Sequence, residues 1–437
     1  MRVLVVGSGG REHALAARLA SEPGVDAVVC APGNPGIAHI ASIASVDISN
    51  PDALLAIAAR ERIDLTVVGP ELPLDRGVVD RFRSEGRRIF GPTRHAAQLE
   101  CSKAFAKEFM ARHGIPTARY RVCSDAETAR DVIASGEFGL PVVVKADGLA
   151  AGKGVVVAAT NVEAESAIHA AMEEQQFGDA GASVVIEECL TGPEVSFFAI
   201  CDGTRAMPLT SAQDHKRIFD GDRGPNTGGM GAFAPSPLVD DAMRARIMRE
   251  IVTPVVEGMR AEGVEYRGFL YAGLMMTCDG PKVIEFNVRF GDPEAQVVMP
   301  LISAEIAPLL AAAADGHLPH APIALRGEVA VGVVLASEGY PGPVTSGRPI
   351  DGIDAAERVD GVKIFHAGTA VKDGQIVTAG GRVLTVVATA PDYAPAIARA
   401  YQAVDRISFD GMQYRRDIGA KAVQAPQAPQ TTRSVNA

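Results

Sequence analysis

Between the β-branched runs Pro141-Val-Val-Val144 and Val155-Val-Val157 stands Lys145-Ala-Asp-Gly-Leu-Ala-Ala-Gly-Lys-Gly154, and no other stretch constrains the chain as much. Short β-branched segments on either side of a glycine-rich turn predict a hairpin. Gly148, Ala150, Gly152 and Gly154 let the main chain close over an anion, and Lys145 and Lys153 supply charge to hold it. The prediction is a polyphosphate site. A Walker A loop is disfavoured, because only Leu149, Ala150 and Ala151 separate Gly148 from Gly152 and Gly154 stands where Ser or Thr should follow the lysine. A P-loop also runs into a helix, whereas Val155-Val-Val continues as a strand. Taken alone, an ordinary flexible hairpin remains the other reading.

The chain opens with a second glycine-rich turn. Arg2-Val-Leu-Val-Val6 reads as a buried strand, Gly7-Ser-Gly-Gly10 as a tight turn and Arg11 to Leu19 as a helix of good formers. That arrangement predicts a phosphate or nucleotide cradle in which Gly9 and Gly10 face the ligand. A dinucleotide is disfavoured: Glu12 occupies the third glycine position, and the second strand, Ala27-Val-Val-Cys30, ends in Ala31-Pro32 with no acid for a ribose. Further alternation, with helices near 52–61 and 78–85 and strands near 64–68 and 88–90, predicts a parallel sheet. Glu71, just past a strand end, is a ligand for sugar hydroxyls or a solvated loop acid.

At 437 residues the chain is too long for one core and should split into about three units. With 42 basic and 53 acidic residues, a net charge of −11 and no Lys/Arg block, nucleic acid is a poor partner. Phosphates must therefore be held by local charge. The six cysteines include no C-x-x-C pair, which argues against a zinc ribbon or a disulfide framework. Neither a signal-like start nor a membrane-length apolar run is visible, so the expected location is the cytoplasm, with no membrane partner.

Glu100 to His113 predicts one amphipathic helix ended by Gly114, with Lys103 in its first turn. A cation there gains nothing from the helix dipole, so either an anion lies nearby or Lys103 is a plain surface residue. After the strand Ser183-Val-Val-Ile186, the segment Glu187 to Leu190 can offer backbone groups to a base and Glu194 can hold a ribose; an exposed acidic turn is the alternative. Gln213-Asp-His-Lys-Arg217 and Gly224-Pro-Asn-Thr-Gly-Gly-Met-Gly231 form a long polar stretch without hydrophobic period, predicted as a functional loop. Within it Asp214 suits an ammonium group, and the Thr227–Gly229 amides suit a carboxylate.

Strand alternation through Val283-Ile-Glu-Phe-Asn-Val-Arg289 puts Glu285, Asn287 and Arg289 on one face and Ile284, Phe286 and Val288 on the other. Two hard oxygen donors suit Mg²⁺ that also holds phosphates, and Arg289 suits a transferring phosphoryl group. The other reading is an exposed polar face with an internal ion pair. Phe290-Gly-Asp-Pro-Glu294 then turns sharply and adds two acids, one of them Asp292. From Gly327 strands dominate, with a helix near 394–404.

Gly9-Gly-Arg-Glu-His-Ala14, Lys145–Gly154, Gln213–Arg217, Gly224–Gly231 and Glu285-Phe-Asn-Val-Arg-Phe-Gly-Asp-Pro-Glu294 together resemble the phosphoribosylamine–glycine ligase family of the ATP-grasp superfamily, from Met1 to about Ala422. The resemblance implies an α/β and α+β multidomain chain. Its parts would be a Rossmann-like N-terminal unit (1–101), an ATP-grasp core (102–326) with a mobile lid at about 123–190, a small C-terminal α+β unit (327–422) and a disordered tail (423–437). It implies ATP-dependent joining of glycine to 5-phosphoribosylamine through glycyl phosphate, by a monomer or weak dimer. The implied metal ligands, for Mg²⁺ or Mn²⁺, are Glu285 and Asn287. Lys103, Lys145, Gly152, Lys153, Glu187, Leu190 and Glu194 are the implied ATP contacts. Catalytic candidates are Arg289, Lys153 and Asp214; substrate candidates are Gly9, Gly10, Glu71, Asp214, Asn226, Thr227, Gly228, Gly229, Arg289 and Asp292. Tyr271-Ala-Gly-Leu-Met275 lacks the second acid that many relatives carry, so a metal here draws on water or phosphate oxygens. The alternative within the superfamily is a formate- or bicarbonate-dependent ligase of the same pathway.

Overall fold

A computed structural model of the protein describes residues 1–149 and 154–424. Its first strand, Arg2–Gly7, lies at the centre of a five-stranded parallel sheet in the order Ser42–Ile43, Ala27–Pro32, Arg2–Gly7, Leu65–Val68, Ile89–Phe90. A central parallel strand is covered on both faces. Accordingly, Leu4 and Val6 pack with Leu54, Ile57 and Phe82 on one side, while Val3 and Val5 pack with Leu15 and Leu19 on the other. The helix Gly10–Ala20 follows the first strand as expected, whereas Glu71 is not a loop residue but opens the short helix Glu71–Asp75.

A second, eight-stranded antiparallel sheet runs Gly280–Asn287, Arg267–Thr277, Glu194–Asp202, Ala206–Asp214, Gly231–Ala234, Val329–Ala336, Arg382–Ala390, Val362–His366. The C-terminal strands are present where expected, yet they extend this sheet rather than closing one of their own. Gly231–Ala234 pairs with Val333–Ala330, which leaves neither body an open edge at the join. A separate four-stranded sheet, ordered Tyr120–Cys123, Val184–Glu188, Val142–Ala146, Val155–Ala158, carries the glycine-rich hairpin. Two helices, Ala126–Ser135 and Asn161–Ile168, close its own apolar core around Ile133, Val144, Ile168 and Ile186.

Four expectations are corrected. The helix expected from Glu100 is two, Gln98–Cys101 and Lys103–Arg112, because Ser102 is extended (φ −133°, ψ 117°) and its hydroxyl accepts from the Phe105 amide as an N-cap. Residues 213–231 are not one loop: Arg217–Phe219 pairs with Arg223–Asn226 as a small hairpin between two strands of the large sheet. Ala420–Gln424 is helical, two residues into the expected tail; 425–437, with Ala150, Gly152 and Lys153, lie outside the described residues. Finally, strict alternation fails in Gly280–Asn287. A bulge there, with Gly273 opposite Glu285 but Leu274 opposite Val283, makes Val283 the core residue and leaves Ile284 half-buried. Among the described residues no helix is long and apolar enough to cross a membrane.

Candidate active site

The bulge is where the two most informative motifs meet. An extra residue turns the Ile284 carbonyl out of the ladder, and the Lys145 ammonium donates to it at 3.0 Å from across the molecule. Lys145 is buried and also ion-paired with Glu187. The strand Val142–Ala146 thus delivers a cation beside the Glu285 carboxylate, where Lys216 approaches at 3.7 Å. Lys216 is the foremost influence holding Glu285 below the usual carboxylate range; burial opposes it, and Lys145, Lys103 and Arg289 add to it. Burial works against the charge of Lys216 itself, but Glu285, Glu194 and Asp214 together raise its pKa well above normal.

Lys103 sits at the first position of Lys103–Arg112, and the anion its placement calls for comes from the hairpin. The Asp147 carboxylate accepts from the Lys103 amide at 2.6 Å and the Ala104 amide at 3.2 Å, while the Lys103 ammonium reaches back to the Gly148 carbonyl at 2.7 Å. Burial lowers the Lys103 pKa, and Glu285 and Asp147 partly restore it. Glu187 does not leave the strand as a hinge. It is a buried member of Val184–Glu188, ion-paired with Lys107 and Lys145 and flanked by Tyr120 and Val143 in the neighbouring strands, while Leu190 lies beyond the strand end. Glu194 starts its strand 2.7 Å from the Lys216 ammonium.

Asp214 ends the strand Ala206–Asp214, and burial pushes its carboxyl up to about 7. Lys216 opposes the rise, while Glu294, Glu194 and Glu285 reinforce it. Beneath this cluster the buried Glu294 accepts from Tyr271 at 2.8 Å and from Ser196 at 3.2 Å. Arg289 lies past the end of its strand and is held by Glu100 at 2.8 Å, Glu71 at 3.4 Å and the Asn287 amide oxygen at 3.1 Å. Burial disfavours its charge, but Glu100 and Glu71 outweigh that and raise its pKa. Glu71, a candidate for sugar hydroxyls or a solvated loop acid, is paired with this guanidinium.

In both anion cradles read from the sequence, backbone amides have partners within the chain. The Gly9 amide donates to the Glu12 carboxylate at 2.6 Å, which packs so tightly into the turn that a Cβ on Gly7 (φ +123°) would come within 2.6 Å of it. A Cβ on Gly10 would meet Gln296 at 2.4 Å. In the other cradle, Thr227 N–H donates to the Lys216 carbonyl, Gly229 N–H to the Thr227 hydroxyl at 2.9 Å, and Gly228 N–H to the Tyr340 hydroxyl at 2.8 Å. Asn226 is exposed on the small hairpin. Asp292 meets Arg382 at 3.2 Å, and the same guanidinium donates to the Gly228 and Asp292 carbonyls. Lys216, Arg382 and Glu100 were not singled out by sequence reasoning. Lys216 stood inside a quoted motif; Arg382 had no local signal, since its partners come from distant segments.

Glu285 and Asn287 suit a hard divalent ion. Both carry oxygen donors two residues apart on one strand, Asn287 with its amide oxygen accepting from Arg289 and Glu285 with its side chain 46% exposed and its charge balanced by ammonium groups. Among the described residues no group of three His, Cys, Asp or Glu could hold a metal by itself, so an ion held by Glu285 and Asn287 would need further oxygens from phosphate or water.

Family models described as phosphoribosylglycinamide synthetase match along the chain: the N domain over residues 1–100, the ATP-grasp (A) domain over 101–295 and the C domain over 330–421. A phosphoribosylamine–glycine ligase of Brucella melitensis is 53% identical over 428 residues, covering 98% of this chain and all of that protein. The crystal structure of a phosphoribosylamine–glycine ligase from Thermotoga maritima superposes with a TM-score of 0.84 at 36% identity, over 95% of this chain and all of the other. The biotin carboxylase domain of Hydrogenobacter thermophilus 2-oxoglutarate carboxylase, solved with MgADP and bicarbonate, shares the fold at a TM-score of 0.73 and 19% identity, over 94% and 91% of the two chains.

Proposed function

The chain belongs to the phosphoribosylglycinamide synthetase, or phosphoribosylamine–glycine ligase, family, and from that premise we propose how its own residues perform the ligation. It is an ATP-dependent ligase of purine biosynthesis that joins glycine to 5-phosphoribosylamine, giving glycinamide ribonucleotide, ADP and phosphate. A formate- or bicarbonate-dependent activity is not favoured, since the full-length relatives are glycine ligases.

A carboxylate resists attack by an amine because it has no leaving group. In our reading a glycine carboxylate oxygen attacks the γ-phosphorus of ATP, the bond to ADP breaks, and the amine of the sugar then attacks the carbonyl of glycyl phosphate, expelling phosphate and losing a proton. Lys145 and Lys103 hold the polyphosphate from the hairpin side, together with Gly152 and Lys153. The ends of Glu187–Leu190 receive the base, and Glu194 the ribose. Asp214 takes the glycine ammonium, and Arg289, oriented by Glu71 and Glu100, faces the phosphoryl group. Asp292 and Arg382 bound the sugar side with the Gly9–Gly10 turn and the Asn226–Gly229 loop. Glu285 and Asn287 hold Mg²⁺ or Mn²⁺, which when bound neutralises phosphate charge and polarises the phosphoryl oxygens. Covering this site against water protects the acyl phosphate. A cytoplasmic monomer or weak dimer without nucleic-acid or membrane partners fits the reading.

The observation that carries these assignments is the Lys145 to Ile284 contact, which brings the hairpin and the Glu285 strand to one place. The test is ADP release in the presence of 5-phosphoribosylamine. It should require glycine, with neither bicarbonate nor formate replacing it, and Glu285→Ala should lower turnover by at least a thousandfold with an unchanged circular dichroism spectrum. Near-normal turnover of that variant at saturating metal would remove Glu285 from the site.

A further inference from the structure

Away from the candidate active site, a cavity of about 370 Å³ opens between the C-terminal half of Gly10–Ala20, the segment after Glu294–Val298 and the strand Val362–His366. None of the residues that line it belongs to the site described above. Three cations share its wall, Arg18, Arg326 and Lys363, in a chain whose net charge is −11.

Acids neutralise only part of this cluster. Glu22, 3.3 Å from Arg18, offsets one of the three charges while also accepting from the amides of Ile306 at 2.6 Å and Ala307 at 2.9 Å. Among the described residues neither Lys363 nor Arg326 has an acidic partner, and the buried Arg18 Nε donates to nothing. Burial lowers the Lys363 pKa, and Arg326 and Arg18 lower it further, so the charges lie close enough to repel one another. A buried guanidinium N–H without an acceptor is costly, and convergent like charges are costly in the same way. A bound anion would relieve both.

Met299, Ile302 and Phe365 back the cavity but are almost wholly buried, so its open wall is mainly polar. Its volume is in the range of small-molecule pockets, of roughly 300–1,000 Å³, which leaves room for an organic body beyond the charged group. We propose that this cavity is a second anion site, taking a phosphate monoester of nucleoside-monophosphate size with its phosphate between Arg18, Arg326 and Lys363 and its body in the remaining, mainly polar space. The helix Gly10–Ala20 begins at the Gly9–Gly10 turn, so an occupant sits against the other half of an element that also borders the candidate site.

The probe is AMP, titrated calorimetrically into the full-length enzyme saturated with magnesium and a non-hydrolysable ATP analogue, which blocks the nucleotide site. One binding event is expected, weakening at least tenfold in the double variant Arg326→Glu/Lys363→Glu and weakening with added salt as exposed charge pairs do. Both side chains belong to exposed residues outside the catalytic cluster, so basal ligation should be unchanged. As a second measurement on the unmodified protein, AMP but not adenosine should protect Lys363 from acetylation, read by mass spectrometry. Absence of heat, heat unaffected by the double variant, or no protection of Lys363 would each overturn the proposal. Inorganic phosphate binding as tightly as AMP would mean an adventitious ion only, and would overturn it too.

Discussion

Asp214 is the residue whose protonation and role are most tightly linked. Its carboxyl, pushed up to about 7 by burial against the pull of Lys216, is half-protonated near neutrality, whereas holding an ammonium group requires the anion. The apparent kcat/KM for glycine should therefore fall as the pH drops below about 7, with a limb that is absent for ATP. Asp214→Asn should remove that limb and raise the KM for glycine about 10–100-fold, the worth of a charge-assisted hydrogen bond, with the KM for ATP within about twofold. Equal rises in both would place Asp214 elsewhere. Residues of this kind were legible because their signal is local: Lys145 and Glu285 stand out by composition and by the period of two within a few positions. Arg382 and Glu100 did not, because a guanidinium 90 residues from Asp292 in the chain acquires its meaning only when the fold closes. Glu12 was read only as a missing glycine, and its actual role is to accept from the Gly9 amide at the start of its own helix, the one half of a capping box that a glycine N-cap allows.

At the scale of elements, the hairpin and the helix behind it act as one unit through Asp147. Its carboxylate joins the first turn of Lys103–Arg112 to the hydroxyls of Ser102 and Ser183, each at 3.2 Å. Replacing it strips the helix of a negative cap and frees the strand end that presents Lys145. Asp147→Ala should cost about 1–2 kcal/mol of stability, as lost caps do, and raise the KM for ATP several-fold while leaving that for glycine nearly unchanged. A stability loss with no change in the KM for ATP would reduce Asp147 to a cap alone. Most elements were visible in advance from period and punctuation. Those misread, the helix broken at Ser102 and the bulge at Ile284, share a cause. One residue leaves the regular geometry to bond outside its element, and a window averaging over neighbours cannot register it.

The whole molecule is held by joints that no local pattern announces. The sheet shared between Gly231–Ala234 and Val329–Ala336 is one; the other is a buried histidine contact between the first helix and the C-terminal strand Val362–His366. There the His366 amide donates to His13 Nδ1 at 2.8 Å, and Asn34 ties the His366 carbonyl to that of Ser8, at 2.8 Å each. Burial, then the neighbouring histidines, lowers His13 to about 3 and His366 to about 4; burial, then Arg415, lowers His215 to about 4. The native state keeps all three neutral, while the unfolded chain takes up their protons near pH 6.5, so between about 6.5 and 4 unfolding binds protons and stability falls on acidification. Each histidine contributes up to about 1.4 kcal/mol per pH unit in that window. In His13→Asn the amide oxygen can replace Nδ1 as acceptor while one titrating group is removed. Unfolding free energies from urea titrations should then lose up to about 2–3 kcal/mol less than the parent between pH 6.5 and 4.5. His13→Leu should instead be destabilised at every pH by about 1–3 kcal/mol, because it leaves the His366 amide buried without an acceptor. Parallel pH profiles for His13→Asn and the parent would mean that the joint does not exclude the proton, and acid lability would have to be sought in the carboxylates.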